Sequence, residues 1–360
     1  MRILHILNHA QNIGNGIVNA AIDLACAQAQ AGFEVAIASA GGEYECLMKQ
    51  FQIQHFPLKV SRSPIEVLNA TKKFRKITQE FSPNIVHAHM MTGVILGKAL
   101  RGNADYALVS TVHNEWQFHA VLMGVADRVI AVSQAVARSM QHRGIPVRKL
   151  HVVPNGTIGS LRQTPLDRVK PLLLERPAIT TIAGLYHRKG IEDLLEAFVQ
   201  IADEHPTAHL YLVGNGPQRA AFERRARKSP HRKRIHFEGF QAEPQRYLLA
   251  TDVFVLASRR EPFGLVLSEA REAGCAIVAS NVDGIPEVLD GGSAGKLIPP
   301  KDITVLSKTL SGLLTRRDEL EDWKQRAQTN LDWLRVERVH QETLGVYQSA
   351  IAELTRTVCA

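Results

Sequence analysis

Glu261-Pro262-Phe263-Gly264-Leu265-Val266-Leu267-Ser268-Glu269 follows the apolar run Val253–Leu256 and carries the strongest local signal in the chain. A short buried strand that leads through Pro and Gly into a helical pattern reads as a strand–turn–helix unit. The free N–H groups at the start of such a helix face whatever lies beyond the strand ends. The two glutamates are eight positions apart. On a mostly helical stretch they would lie up to ~12 Å apart along the axis. That exceeds the ~5–9.5 Å between the carboxyls of a glycosidase acid/base pair. It suits two separate grips: Glu261 on the hydroxyls of a sugar, Glu269 on the ribose of a nucleotide, with a pyrophosphate between them near Gly264. A surface helix with two ordinary glutamates is the bland alternative.

The same alternation extends in both directions. Upstream, strand candidates are Ile3–Leu7, Glu34–Ser39, Asn84–Ala88, Leu108–Val112, Arg128–Val132 and Lys149–Val153, with helical patterns such as Ile17–Ala31 and Ser133–Arg143 between them. A second series runs Ile179–Gly184, His209–Val213, Ile235–Phe237, Val253–Leu256, Ala276–Ala279 and Lys296–Ile298. Strands that alternate with helices predict an α/β fold with parallel sheets covered on both faces. The stretch 161–177, with Pro165, Pro171 and Pro177, has no clear period and reads as a linker. It separates a first doubly wound domain (1–160) from a second (178–334). Beyond Pro299 the pattern is helical, with Trp323, Trp333 and Tyr347 as packing anchors. Two such domains are expected to face an interdomain cleft, where helix N-termini offer N–H groups to anions.

With 360 residues, 45% hydrophobic and 22% charged, the chain has ordinary globular composition and enough length for about two domains. The apolar opening Ile3–Leu7 is too short for a signal peptide, and no window approaches the ~18 apolar residues of a membrane span. Cys26, Cys46, Cys275 and Cys359 are scattered, which reads as reduced thiols in a cytoplasmic protein. The net charge is +8, and eight basic residues against Glu223 fall between Arg219 and Arg234. That segment is either a solvated helix face and loop, or a patch for an anionic membrane surface at the inner face or an anionic acceptor. No aromatic residues line it to stack bases, so nucleic acid is not expected.

The loop Gly14-Asn15-Gly16 nearly makes a dinucleotide fingerprint but has Asn19 where the third glycine belongs, and no acid follows the second strand. NAD binding is therefore disfavoured. A second phosphate element is Gly184-Leu185-Tyr186-His187-Arg188-Lys189-Gly190, whose Arg188 and Lys189 can stabilise a departing diphosphate. No D-x-D pair occurs, so no metal is expected and these cations with helix dipoles would do its work. His87 and His89, two apart on a strand, share a face and could ligate zinc with His113 or Glu115. A structural role for His87 and His89 is the preferred reading, with His113 at a strand's C-terminal end beside the transferred sugar or the acceptor.

Taken together, these pieces resemble the retaining family 4 glycosyltransferases of the GT-B fold. The segment Glu261 to Glu269 matches the E-x7-E motif. Around it, in order, stand Gly14-Asn15-Gly16, His87-Ala88-His89, Thr111-Val112-His113, Val132-Ser133, Val153-Pro154-Asn155-Gly156, Arg188-Lys189-Gly190, Gly214-Asn215-Gly216-Pro217, Phe237-Glu238-Gly239-Phe240 and Gly284-Ile285-Pro286-Glu287.

The resemblance implies two Rossmann-like domains, a final helix (335–360) returning to the first, and transfer from a nucleotide sugar without a metal or other cofactor. UDP-glucose is the donor by family habit, and the acceptor is a saccharide or lipid-linked. It implies Glu261, His113, Arg188 and Lys189 as the catalytic set. Gly264, Leu265 and Val266 offer backbone amides, Glu269 holds the ribose, and Phe240 sits by the base. Asn15, Gly16, Gly184, Gly214 and Phe263 complete the donor site. Two departures stand out: Leu185 follows Gly184 where the family often places arginine, and Asn15-Gly16 replaces a double glycine. A non-catalytic nucleotide-sugar binder, an epimerase or phosphorylase of the same fold, and a zinc hydrolase are the alternatives.

Overall fold

The computed structural model describes residues 1–59, 64–102 and 104–359, without the side chains of 64, 65 and 356–359. The chain divides into two compact units, Met1–Arg162 with Arg335–Ala360, and Gln163–Leu334.

The strands of the first unit are β1 (Arg2–Ile6), β2 (Glu34–Ser39), β3 (Gln54–Pro57), β4 (Ile85–Ala88), β5 (Ala107–Val112), β6 (Arg128–Ala131) and β7 (Leu150–Val152). They form one sheet in the order β3-β2-β1-β4-β5-β6-β7, every pair parallel. All six residues of β5 are buried, as expected of a strand covered on both faces. One cover is the first helix, Gly16–Gln30, capped by the Asn15 side chain accepting from the Ile17 N–H. Beside it on the same face lies the last helix, Val336–Cys359. Its Val346, Tyr347 and Ala350 pack against Ile3, Ile85, Ala107, Val109 and Ile130.

The second unit carries β8 (Ala178–Ile182), β9 (His209–Val213), β10 (Ile235–Gly239), β11 (Val253–Leu256), β12 (Ala276–Ser280) and β13 (Lys296–Ile298). Their order is β10-β9-β8-β11-β12-β13, again parallel. The direction of winding reverses between β8 and β11. Crossover loops there leave in opposite directions and open a crevice at the carboxyl ends of the strands.

Two expectations change. The edge strand β3 is absent from the sequence reading. Of the stretch 161–177 read as a linker, residues from Gln163 on belong to the second unit and are laid onto it: Leu172 N–H donates to the Arg246 carbonyl at 3.0 Å, and Glu175 N–H donates to the Tyr211 hydroxyl at 3.0 Å. Among the described residues no helix is long and apolar enough to cross a membrane. Cys26, Cys46 and Cys275 are free thiols, and the side chain of Cys359 lies outside the described residues.

Candidate active site

The loops flanking the reversal in the second unit, after β8 and after β11, hold the residues singled out in the sequence. Backbone bonds fix them together: Arg259 N–H donates to the Arg188 carbonyl at 2.7 Å. Gly190 has φ +65°, and a Cβ there would lie 1.9 Å from the Ala257 carbonyl oxygen. Only glycine permits that approach of the two loops. Gly214 does the same after β9, with φ +133° and a Cβ position 2.0 Å from the Ala183 oxygen.

Glu261 is 7% exposed. Its Oε2 accepts from Lys189 Nζ and, at 3.0 Å, from the Ser258 hydroxyl. Its own N–H donates to Asp283 Oδ2 at 2.8 Å, and its carbonyl accepts from Gly284 N–H at 3.0 Å. The carboxylate is thus held by one cation and one hydroxyl, and its backbone by the loop after β12. Ser258 and Asp283 escaped the sequence reading; their signal is only their nearness to Glu261 and to the Gly284 turn.

The helix that follows begins at Leu265, with Gly264 at its N-cap in left-handed conformation (φ +89°). The stretch from Glu261 to Glu269 is therefore helical only in its second half. The axial separation expected of a mostly helical segment does not apply. The Glu269 carboxylate accepts from Gln163 Nε2 at 3.0 Å. Phe263 is 2% exposed and packs edge-on against Trp333, ring centroids 6.3 Å apart. Its side chain serves packing, which leaves only its backbone for a ligand. Phe240, after β10, is 42% exposed. Arg188 lies over the Tyr186 ring at 5.3 Å. Arg271, in the same helix as Glu269, is fully buried, and three backbone carbonyls and Asp290 receive its guanidinium N–H groups.

In the first unit, four histidines gather around β1 and β4. His5 and His87 are register partners on those strands, and His89 and His113 follow β4 and β5. Burial pushes His5 and His113 down to about 4 and holds His87 and His89 well below the ordinary histidine value. The nitrogens of His5, His87 and His89 lie within 4.8 Å of one another. Both nitrogens of His87 are taken, Nδ1 by the Tyr347 hydroxyl at 2.6 Å and Nε2 by the Thr111 hydroxyl at 2.7 Å. In the zinc set of His87, His89 and His113 offered as an alternative, both His87 nitrogens are thus engaged by hydroxyls.

The basic segment is partly spent on structure. Arg219 bonds Glu223 at 2.7 Å, Arg225 pairs with Glu196, and Arg234 donates to the carbonyls of Ala202, His205 and Ala208. Arg224, Arg227, Lys228, Arg232 and Lys233 are exposed.

Comparison with known proteins agrees with this geometry. Residues 163–330 match the model for glycosyl transferases group 1, and residues 14–157 the model for glycosyltransferase family 4. A glycogen synthase of Mycobacterium tuberculosis is 27% identical over 79% of this chain and 73% of its own. A phosphatidyl-myo-inositol mannosyltransferase of Mycolicibacterium smegmatis is 25% identical over 99% and 94%. Among solved structures, Anabaena HepE in complex with UDP-glucose superposes with a TM-score of 0.81 at 20% identity, covering 97% of this chain and 100% of that one. A glycosyltransferase from Rickettsia africae gives a TM-score of 0.83 at 18% identity, covering 97% and 98%. With both of its units matched in order, the chain belongs to the group 1 and family 4 glycosyltransferases of the GT-B fold.

Proposed function

We propose that the protein is a retaining hexosyltransferase that moves a sugar, glucose by preference, from a UDP-sugar to a saccharide or lipid-linked acceptor. The observation that carries this reading is the Lys189–Glu261–Ser258 cluster at the winding reversal of the second sheet. A buried carboxylate with an ammonium partner is built to exchange that partner for ligand groups. Donor hydroxyls then accept the role of Ser258 and Lys189 at Glu261, and the freed ammonium turns to phosphate. Glu269 grips the ribose, and Arg188 and Lys189 with the amides of Gly264, Leu265 and Val266 stabilise the departing diphosphate. In this reading the bond from the anomeric carbon to phosphate oxygen breaks, and the acceptor oxygen bonds from the same face. The acceptor proton passes to the leaving phosphate, so configuration is retained and charge balances. His113 serves the transferred sugar, and no metal is required.

We also assign Arg224, Arg227, Lys228, Arg232 and Lys233 to peripheral contact with anionic lipid. Sedimentation with phosphatidylglycerol vesicles, lost on reversing three of these charges, tests that part.

A thermal-shift panel of nucleotide sugars, followed by NMR of the product's anomeric proton, tests the main reading. UDP-glucose should give the largest shift and an α-linked product. Binding without transfer or hydrolysis across a broad acceptor panel would leave a non-catalytic binder; an inverted product would remove the front-face route.

A further inference from the structure

His113 does not stand alone. Its Nε2 meets His89 Nδ1 at 3.1 Å, His89 Nε2 meets His5 Nδ1 at 3.0 Å, and His5 Nε2 meets Gln28 Oε1 at 2.7 Å. Gln28 Nε2 in turn donates to the Tyr347 hydroxyl at 3.2 Å. Gln28, His5, His87, His89 and Tyr347 are all less than 5% exposed. The chain therefore runs from the first helix, through β1, to the end of β5, and is anchored from the last helix.

Each link fixes the next, because a neutral imidazole has one donor and one acceptor. The Gln28 oxygen can only accept, so His5 carries its proton on Nε2 and offers Nδ1 as a lone pair. His89 must then be protonated on Nε2, and so must His113. The Tyr347 oxygen accepts from Gln28 and gives its own proton to His87 Nδ1, which leaves His87 Nε2–H to donate to Thr111. Every ring nitrogen of the four histidines is used except His113 Nδ1, which has no partner among the described residues. An amide cannot pass a proton onward as an imidazole can, so the chain ends at Gln28 and orients rather than shuttles.

We infer that Gln28 and Tyr347 are positioning residues that, through His5 and His89, hold His113 in a single tautomer whose bare Nδ1 accepts a hydrogen bond from a sugar hydroxyl. The sugar contact rests on the transferase reading above; the tautomer does not. The orientation of one buried amide thus sets which way a residue at the strand end can bond, much as an outer hydrogen bond fixes the tautomer of a ligand histidine.

Long-range 1H–15N spectra of the full chain, labelled at histidine nitrogen and assigned with His113→Gln, read the tautomer directly. The wild type should show His113 protonated on Nε2 alone. Gln28→Leu should give a mixture of both His113 tautomers, and Tyr347→Phe, which keeps the ring packing, should do the same to a smaller extent. With donor and acceptor supplied, kcat should fall about tenfold in Gln28→Leu while the donor KM stays within about twofold. A proton on His113 Nδ1 in the wild type overturns the inference, and so does a tautomer unmoved in both variants. A shifted tautomer with unchanged kcat leaves the relay in place and removes His113 from the sugar, which is a failure of the functional reading instead.

Discussion

Lys189 and Glu261, 72 positions apart in sequence, form an ion pair between the two loops that flank the winding reversal of the second sheet. Both side chains are mostly buried, at 14% and 9% exposure. A pair in that setting is held by mutual need: neither charge tolerates loss of the other, although both together are no more stable than apolar packing. Glu261→Gln should abolish transfer, with at least a ~10²-fold fall in kcat. It should also destabilise the fold by about 3 kcal/mol through the stranded ammonium. Adding Lys189→Met to it should recover much of that stability and none of the activity. Urea melts of the single and double variants, beside turnover, check both halves. Full turnover in Glu261→Gln would take the carboxylate out of the reaction.

Two glycines of the second unit, one in the Lys189 loop and one outside it, differ in a way that stability can read. Gly190 and Gly291 have similar positive φ, +65° and +69°. A Cβ at Gly190 would meet the Ala257 backbone, whereas at Gly291 nothing lies within 4 Å. Gly291→Ala should therefore cost only the left-handed strain, about 1 kcal/mol. Gly190→Ala should cost several times as much and move the Lys189 loop away from Glu261. Equal losses in chemical denaturation would mean that the close approach carries no energy.

Much of this was visible in the sequence, for physical reasons that differ from element to element. The runs Val253–Leu256 and Ala276–Ala279 are buried on both faces, so they read as unbroken apolar blocks and coincide with β11 and the body of β12. The edge strand β3, Gln-His-Phe-Pro, buries one side chain of four. It presents neither a block nor an apolar alternation, and it ends in proline. At the site, Glu261, Lys189 and the glycines announce themselves through motif spacing. Asp283 and Gln28 act by contacts between residues distant in sequence, which no local pattern encodes, and Ser258, though only three positions before Glu261, lies outside the motif. Glu269 sits where the motif places it, yet the helix under it starts four residues later than a continuous reading would have it.

Arg271 is the largest fully buried side chain of the described residues. Its Nε donates to the Ala327 carbonyl at 2.9 Å, NH1 to Val288 at 2.5 Å, and NH2 to Thr329 at 2.6 Å and Asp290 at 2.8 Å. Asp290 also accepts from the Trp333 indole N–H at 3.1 Å. One guanidinium therefore ties the Glu269 helix to the segment bearing Trp333 and, through it, to Phe263. Lysine has a point charge and cannot span four acceptors. Arg271→Lys should cost about 3 kcal/mol or more. It should also weaken donor binding although residue 271 is buried away from any ligand. A thermal melt with and without UDP measures both effects; a variant as stable as the wild type would show that the carbonyls find other donors.

The histidine chain of the first unit gives the protein an acid limit with a definite sign. Burial lowers His5 from 6.5 to about 4 and His113 likewise, and holds His87 and His89 well below the ordinary value. Between pH 6.5 and about 4 the unfolded chain binds protons that the folded one refuses. Stability therefore rises with pH through that window and falls as pH drops through it. Above pH 6.5 the full contribution is present, because the histidines are neutral in both states. For His5 alone the shift is worth about 3 kcal/mol. Burial supplies the cause: an imidazolium in this site loses its hydration, and charging one histidine disfavours charging its neighbours, while the Gln28 bond to His5 acts weakly in the opposite sense. Urea denaturation at half-unit steps from pH 8 to pH 4 should show a plateau and then a steepening loss below about pH 6.5. His5→Asn should lessen that slope by one proton, about 1.4 kcal/mol per pH unit at most. A slope identical in the two proteins would mean that the acid sensitivity lies outside this network.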